Sequence, residues 1–465
     1  MSGYISTRGG APEVGFVDAL LAGLAPDGGL YCPAAWPIVR PDAIAGFRGR
    51  PYGEVAASVL GRFAGEEIDA ADLGRMCAEA YGAFSHPAVT PLRQIAPGRF
   101  VLELFHGPTL AFKDVAMQIL ARLFEHVLAA RGRRMTIVCA TSGDTGGAAV
   151  EAFRGRANVR IVALFPEGRI SEVQRRFMTT AGDDNVACVA VAGDFDDCQA
   201  ILKDLFADRA FAHEVDLAAV NSIAFARVAA QCVYYFVAAA ALGAPRRPVA
   251  FAVPTGNFGD AFAGYAAHRM GLPIESILVA TNVNDIVARA LATGRYERRP
   301  AAATMSPAMD IQVASNFERL WFECAGRAGA PTAAAFQAFA AAGAADIPRD
   351  VLVPMRAVFR GAAVSEAETS EAMAKTWRET GTLVDPHTAV AMAAGEREGA
   401  GGEPPMVILS TAHPAKFPEA VFAATGETPP VPPVVRAMAG MAERIDRLPA
   451  TAGAVKAYVR RFAAR

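Results

Sequence analysis

The stretch MTIVCATSGDTGGAAVEAF, Met135 to Phe153, decides the fold. Its opening residues are apolar and rich in Ile and Val, as a strand buried on both faces is. Thr141, Ser142 and Thr145 follow around Gly143 and Asp144, and an Ala-rich run then reads as a helix. Strand, Gly-rich turn and helix in that order form the unit of an α/β protein with a largely parallel sheet. The mouth of such a helix offers free N–H groups and the positive end of its dipole, which attract an anion such as a carboxylate. A Thr or Ser beside Gly is also ordinary helix capping, so the whole arrangement says more than any one hydroxyl.

Outward from this stretch the same pattern repeats. FVLELF, VRIVALF, VACVAVAG, PVAFAVP, ESILVAT and PMVILST are short apolar runs of the kind buried strands use, and helical segments such as VAMQILARLFEHVLAARG alternate with them. Residues 1–98 instead show apolar spacing near three and four, in GFVDALLAGL and EVAASVLGRFAG, and read as a mostly helical N-terminal domain. Two α/β domains are expected over 99–247 and 248–430, then a Pro-rich linker and a terminal helix at VKAYVRRFAA over 431–465.

Composition narrows the function. The chain has 465 residues, 53% of them hydrophobic, with 45 Lys plus Arg against 47 Asp plus Glu. Disorder is excluded, and a net charge of -2 gives no reason to expect nucleic acid or an anionic membrane as partner. The seven cysteines are scattered without a CxxC, which disfavours a disulfide framework and a structural zinc site. The first residues carry no secretory pattern, and the longest apolar run, Val233 to Ala244, is too short to cross a bilayer. A small-molecule ligand and a cytoplasmic setting are the expectations; a monomer and a homodimer suit the sequence equally.

Three more segments can carry chemistry. In ELFHGPTLAFKDVAMQIL, Lys113 sits at a turn among Ala111, Phe112 and Val115, where desolvation lowers an ammonium pKa and makes the amine usable as a nucleophile. In VPTGNFGDAFAGY, Gly256 and Gly259 let the backbone approach an anion, with Thr255 and Asn257 as added donors. It is neither a Walker loop nor GxGxxG. In LVDPHTAV and LSTAHPAKF, Ser410 or Thr411 can offer a neutral hydrogen bond to a ring nitrogen, and His387 and His413 are alternatives for acid–base work.

Taken in order, YISTRGGAP, GLAPDGGLY, HGPTLAFKD, TSGDTGG, FDDCQ, VPTGNFGD, SPAMDIQVASNFERL, DPHTAV and STAHPAKF resemble the threonine synthase family over nearly the whole chain. The resemblance implies fold type II of the pyridoxal-phosphate enzymes, the tryptophan synthase β-like fold. It implies conversion of O-phospho-L-homoserine and water into L-threonine and phosphate. By the same resemblance Lys113 is the Schiff-base lysine, and Gly256, Asn257, Phe258, Gly259 and Asp260 hold the phosphate of pyridoxal 5'-phosphate. Thr411 faces the pyridine nitrogen. Thr141, Ser142, Gly143, Asp144 and Thr145 receive the substrate carboxylate, with the role of the acidic Asp144 open.

NSIAFAR resembles NSxNxxR and SEVQRRFM resembles SxxQxxQM, which makes Ser171, Gln174, Asn221, Ser222 and Arg227 the candidates for the substrate phosphate. The chain departs from those patterns at Ala224 and Phe177, where amide side chains are expected. The alternative these departures raise is a related pyridoxal-phosphate lyase or synthase acting on a different amino acid.

Overall fold

A computed structural model describes residues 3–220, 222–399 and 402–465. The strand Met135–Ala140 lies within a five-stranded, all-parallel sheet. It is flanked by Val159–Pro166, then Val186–Ala192 and the edge strand Asp446–Pro449 on one side, and by Leu217–Ala218 on the other. Val138, Val162 and Val189 pack on one face, while Ile137, Ile161 and Ala163 pack into the main core on the other. Helices cover both faces, which is why these strands read as unbroken apolar runs instead of alternating ones.

A second sheet has six strands in the order Phe359–Ala363, Ile274–Thr281, Val249–Pro254, Met406–Ser410, Arg99–Glu103 and Leu92–Ala96. All pairs are parallel except the last, where Leu92–Ala96 runs antiparallel to Arg99–Glu103. Every apolar run named above as a strand is one. Three neighbouring strands of this sheet end at chemistry-bearing segments: Arg99–Glu103 before Lys113, Val249–Pro254 before Gly256, and Met406–Ser410 before Thr411. Met135–Ala140 of the other sheet ends at Thr141. In open parallel sheets the carboxyl ends of strands are where ligands gather.

The N-terminal region carries the expected helices, Phe16–Ala22, Pro41–Gly46, Tyr52–Ala64 and Ala70–Tyr81. It also carries an antiparallel pair, Tyr4–Ser6 with Tyr31–Pro33, whose three-residue strands are too short to show a period in the sequence. Tyr4 donates to the Phe63 carbonyl at 2.9 Å and meets the Phe225 ring at 5.4 Å, so this pair ties the region to the helix Phe225–Ala241. At the other end, the helix Ala452–Ala463 buries Val455, Val459 and Phe462 against the five-stranded sheet, each side chain contributing about 1.5–3 kcal/mol. The strand Asp446–Pro449 preceding it, DRLP, has no apolar run to announce it; pairing with Val186–Ala192 makes it a strand.

Candidate active site

Lys113 opens the helix Lys113–Arg131, and its neighbour fixes the turn before it. Both oxygens of Asp114 accept from Thr109, one from the backbone N–H at 2.8 Å and one from the hydroxyl at 2.7 Å. Gly107 is required for this closure, since a Cβ there would lie 2.4 Å from the Asp114 Cβ. Phe112 N–H donates to the Thr411 carbonyl at 2.8 Å, and His413 N–H to the Leu110 carbonyl at 3.0 Å, joining the lysine turn to the end of Met406–Ser410. The Lys113 side chain is 11% exposed. Burial pushes its ammonium down to about 8 against the opposing pull of Asp144, and burial also pushes Asp114 up to about 6.

The open question of Asp144 has a structural answer. Lys416 Nζ lies 2.6 Å from Asp144 Oδ1, Gln174 Nε2 donates to the same oxygen at 3.0 Å, and Lys113 Nζ lies 3.8 Å from Oδ2. Burial works against ionisation here, but the two lysines overcome it and hold the carboxyl well below the usual carboxylate range. Lys416 is 1% exposed, also donates to the Thr109 carbonyl at 3.0 Å, and stands 5.5 Å from the centre of the Phe177 ring. The sequence reading passes over this residue; its signal is a lysine inside the otherwise apolar run Ala412–Phe417.

Around Asp144 the loop is closed by its own hydrogen bonds. Thr141 Oγ1 accepts from Gly143 N–H at 2.9 Å and Gly146 N–H at 2.8 Å. Gly143 has φ 134°, and a Cβ on it would lie 2.5 Å from the Gln174 side chain. Ser142 is exposed at the mouth and Thr145 is half-buried. Ser171 and Gln174 form a capping box that opens the helix Glu172–Thr179. Gln174 therefore joins this helix to Asp144.

The second turn follows Val249–Pro254. Thr255 folds its hydroxyl back onto the Val253 carbonyl at 2.8 Å, and Phe258 adopts φ 63° to start the helix Gly259–Arg269. A Cβ on Gly256 would meet the Ala308 carbonyl at 2.6 Å, so that backbone passes directly over the turn. Asn316 Nδ2 donates to the Asn257 carbonyl at 3.1 Å and the Ser222 carbonyl at 3.0 Å, drawing the segment before Arg227 to the same place. Asn221 lies outside the described residues. Ala224 stands at the start of the helix Phe225–Ala241, and Phe177 packs with Leu110 and Met438.

Two buried charges here lack full partners. Arg227 is 4% exposed, its Nε has no hydrogen bond among the described residues, and burial lowers its pKa to about 10, Tyr234 opposing. Asp260 Oδ1 accepts from the hydroxyls of Tyr234 and Tyr235, its Oδ2 is unpaired, and burial pushes it up to about 6. Of the two hydroxyls that end Met406–Ser410, Ser410 is engaged with Thr388 Oγ1 at 3.0 Å. That of Thr411, a residue 6% exposed, has no hydrogen bond among the described residues. His387 is tied through Nδ1 to Asp385 at 2.7 Å and accepts from Ala308 N–H at 3.3 Å, so it braces the backbone over the Gly256 turn. Burial, aided by His106, pushes His413 down to about 4; its Nδ1 accepts from Ala415 N–H.

The set suits an aldehyde that also carries a phosphate and a ring nitrogen. It has an amine able to lose its proton near neutrality, a glycine-rich helix mouth under the backbone of Ala308, a threonine hydroxyl without a partner among the described residues and a buried guanidinium with an unmet Nε there. Pyridoxal phosphate has those three groups.

Comparisons with known proteins agree. Residues 3–81 match the family model described as threonine synthase N terminus, residues 85–345 that described as pyridoxal-phosphate dependent enzyme, and residues 388–459 that described as threonine synthase, C-terminal. The threonine synthase of Pseudomonas aeruginosa is 50% identical over 457 residues, covering 98% of this chain and 97% of its own. That of Schizosaccharomyces pombe is 41% identical over 90% of this chain and 88% of its own. The crystal structure of a pyridoxal-phosphate-bound threonine synthase from Brucella melitensis superposes with a TM-score of 0.97 at 52% identity, over 100% of both chains. The yeast enzyme's structure gives a TM-score of 0.93 at 37% identity, over 100% of this chain and 99% of that one.

Proposed function

Because this chain belongs to the threonine synthase family of pyridoxal-phosphate-dependent enzymes, we propose that it converts O-phospho-L-homoserine and water into L-threonine and phosphate. The observation that carries this reading to the level of atoms is the Lys113 amine, buried beside an ionised carboxylate already held by another lysine. When bound, pyridoxal phosphate supplies the electron sink for negative charge developing on the substrate's α and β carbons.

Lys113 holds the cofactor through its amine. Once the substrate's amino group had taken its place, the freed Nζ, with a pKa of about 8, would be available near neutrality as the base that takes the α proton and then moves a β proton to the γ carbon as phosphate leaves it, before water adds at the β carbon and the α proton is returned. The turn of Gly256, Asn257, Phe258, Gly259 and Asp260 holds the cofactor phosphate with backbone N–H groups. Thr411 gives the ring nitrogen a neutral partner.

Thr141, Ser142, Gly143 and Thr145 receive the substrate carboxylate. Asp144 contributes through the lysines it organises, since its charge is compensated before substrate arrives. For the substrate phosphate the candidates are Ser171, Gln174, Asn221, Ser222 and Arg227. Arg227 has the strongest claim, as a buried cation with an unmet donor. Ser171 and Gln174 are already engaged with each other.

The seven cysteines, all free, support the proposal of a cytoplasmic setting, and the near-balanced charge of -2 supports a reading without a nucleic-acid partner, as monomer or homodimer. Among the described residues no helix is long and apolar enough to cross a membrane.

Phosphate release from O-phospho-L-homoserine, with amino-acid analysis of the product, tests the reading. The parent should release phosphate and threonine in equal amounts, and Lys113→Ala should lower turnover by about 10²–10⁴-fold or more. A parent that binds pyridoxal phosphate yet releases no phosphate would overturn the substrate assignment.

A further inference from the structure

Asp144 has two cations within reach and one of them is close. Lys416 approaches to 2.6 Å and Lys113 only to 3.8 Å, so at equal screening the first attraction is about 1.5 times the second. Were Lys416 absent, the full charge of a buried carboxylate would fall on Lys113, and an opposite charge at that range favours the protonated amine. A base that keeps its proton can neither attack an aldehyde nor take a proton from carbon.

We propose that Lys416 is a positioning residue: by holding the Asp144 carboxylate at 2.6 Å it keeps that carboxylate from locking a proton onto the Lys113 amine, 3.8 Å away. The proposal rests on the reading of Lys113 as the cofactor lysine. Lys416 has no freedom to do otherwise. It is almost fully buried, the Thr109 carbonyl takes a second of its N–H groups, and the Phe177 ring covers it. An aromatic face attracts an ammonium without accepting a conventional hydrogen bond, so Phe177 steadies the charge and leaves Asp144 and Thr109 as its acceptors. This gives the departure at Phe177 a local function.

The other charges acting on Lys113 come from separate elements. Arg227, from the helix Phe225–Ala241, opposes protonation as Lys416 does; Asp114, the next residue, favours it. Asp260, on the helix Gly259–Arg269, couples to Lys113 as well. None of these changes when Lys416 is replaced, so the replacement reports Lys416 alone: the direct repulsion of its own charge on Lys113 and its hold on Asp144, which an Asp144→Asn background separates.

The test is competitive labelling of the full chain before cofactor is added, with trace acetic anhydride between pH 6 and 11 and the Lys113 peptide read by mass spectrometry. In the parent, Lys113 should titrate near 8. Lys416→Met should move it up by about one unit or more, and Lys416→Arg should keep it within about half a unit. In an Asp144→Asn background, where only Lys416's own repulsion remains to be lost, Lys416→Met should move Lys113 by clearly less, which loss of packing would not do.

An unmoved Lys113 in folded Lys416→Met, or an equal shift with and without Asp144→Asn, overturns the proposal. If circular dichroism shows Lys416→Met unfolded, Lys416→Gln, which can still donate to Asp144 without the charge, takes its place in both backgrounds. A larger rise of Lys113 in the parent background than in the Asp144→Asn background supports the proposal, and equal rises overturn it. The labelling uses neither cofactor nor substrate, so its failure is separable from a failure of the phosphate-release assay.

Discussion

At the end of the strand Met135–Ala140 the helix Asp144–Phe153 begins on Asp144, and beyond the strand Val249–Pro254 the helix Gly259–Arg269 carries Asp260 in its first turn. Each carboxylate sits in the positive end of a helix dipole, and each is buried. They nevertheless titrate in opposite directions. Asp144 faces Lys416 and Lys113 and stays ionised; Asp260 faces two tyrosine hydroxyls, has one oxygen unpaired and is pushed up to about 6. A helix mouth is worth a fraction of a kcal/mol to about 2 kcal/mol, whereas burial and a contact ion pair each act with several. Partners, and not position in the helix, therefore decide what each turn does. The first turn compensates its charge internally, while the second leaves its carboxylate poorly compensated, so that it takes a proton more readily, beside the turn proposed to hold the cofactor phosphate.

Removing each carboxylate should separate the turns most widely. Asp144→Ala leaves Lys416 buried without its counter-charge and should cost about 3–5 kcal/mol. Asp260→Ala leaves the Tyr234 hydroxyl unmet, while Tyr235 keeps the backbone carbonyl of residue 260 as acceptor, and should cost about 1–3 kcal/mol. Urea unfolding of both variants at pH 7.5 reads the difference, and equal costs would break the comparison.

A smaller contrast lies in pH. A carboxyl raised to about 6 binds its proton more readily folded than unfolded, so Asp260 adds stability as pH falls from above 6 toward the ordinary carboxylate value. Asp144, held low, contributes stability that is kept above that value and lost below it. Asp260→Asn should thus gain about 1–3 kcal/mol on the parent at pH 7.5, and about half of that gain should vanish by pH 5. Thermal melts at the two pH values measure it. Asp114 titrates in the same direction as Asp260 and is common to both proteins, so it cancels.

The sequence made the apolar strands, both glycine-rich turns and the buried turn setting of Lys113 legible because each is announced within about ten consecutive residues. What it could not reveal depends on segments far apart in the chain. Lys416 lies in a quoted motif, yet nothing local says that its ammonium reaches Asp144 on the other sheet's turn. The role of Asp144 stayed open for the same reason. The choice between Ser410 and Thr411 waits on Thr388, which takes the first hydroxyl and leaves the second. Tyr234 and Tyr235 read as part of an apolar helix and meet Asp260 only in three dimensions. The edge strand Asp446–Pro449 has no apolar pattern of its own and exists through its pairing.

The central claim is a division of labour between two buried lysines, one carrying the cofactor and one holding a carboxylate. Borohydride reduction of the pyridoxal-phosphate-loaded protein fixes the cofactor to whichever amine bears it, and peptide mass spectrometry then locates the added pyridoxyl mass. The added mass on the peptide containing Lys113, with the Lys416 peptide unchanged, is the predicted result. The same mass on Lys416, or on neither lysine in a protein that retains the cofactor, would contradict the account.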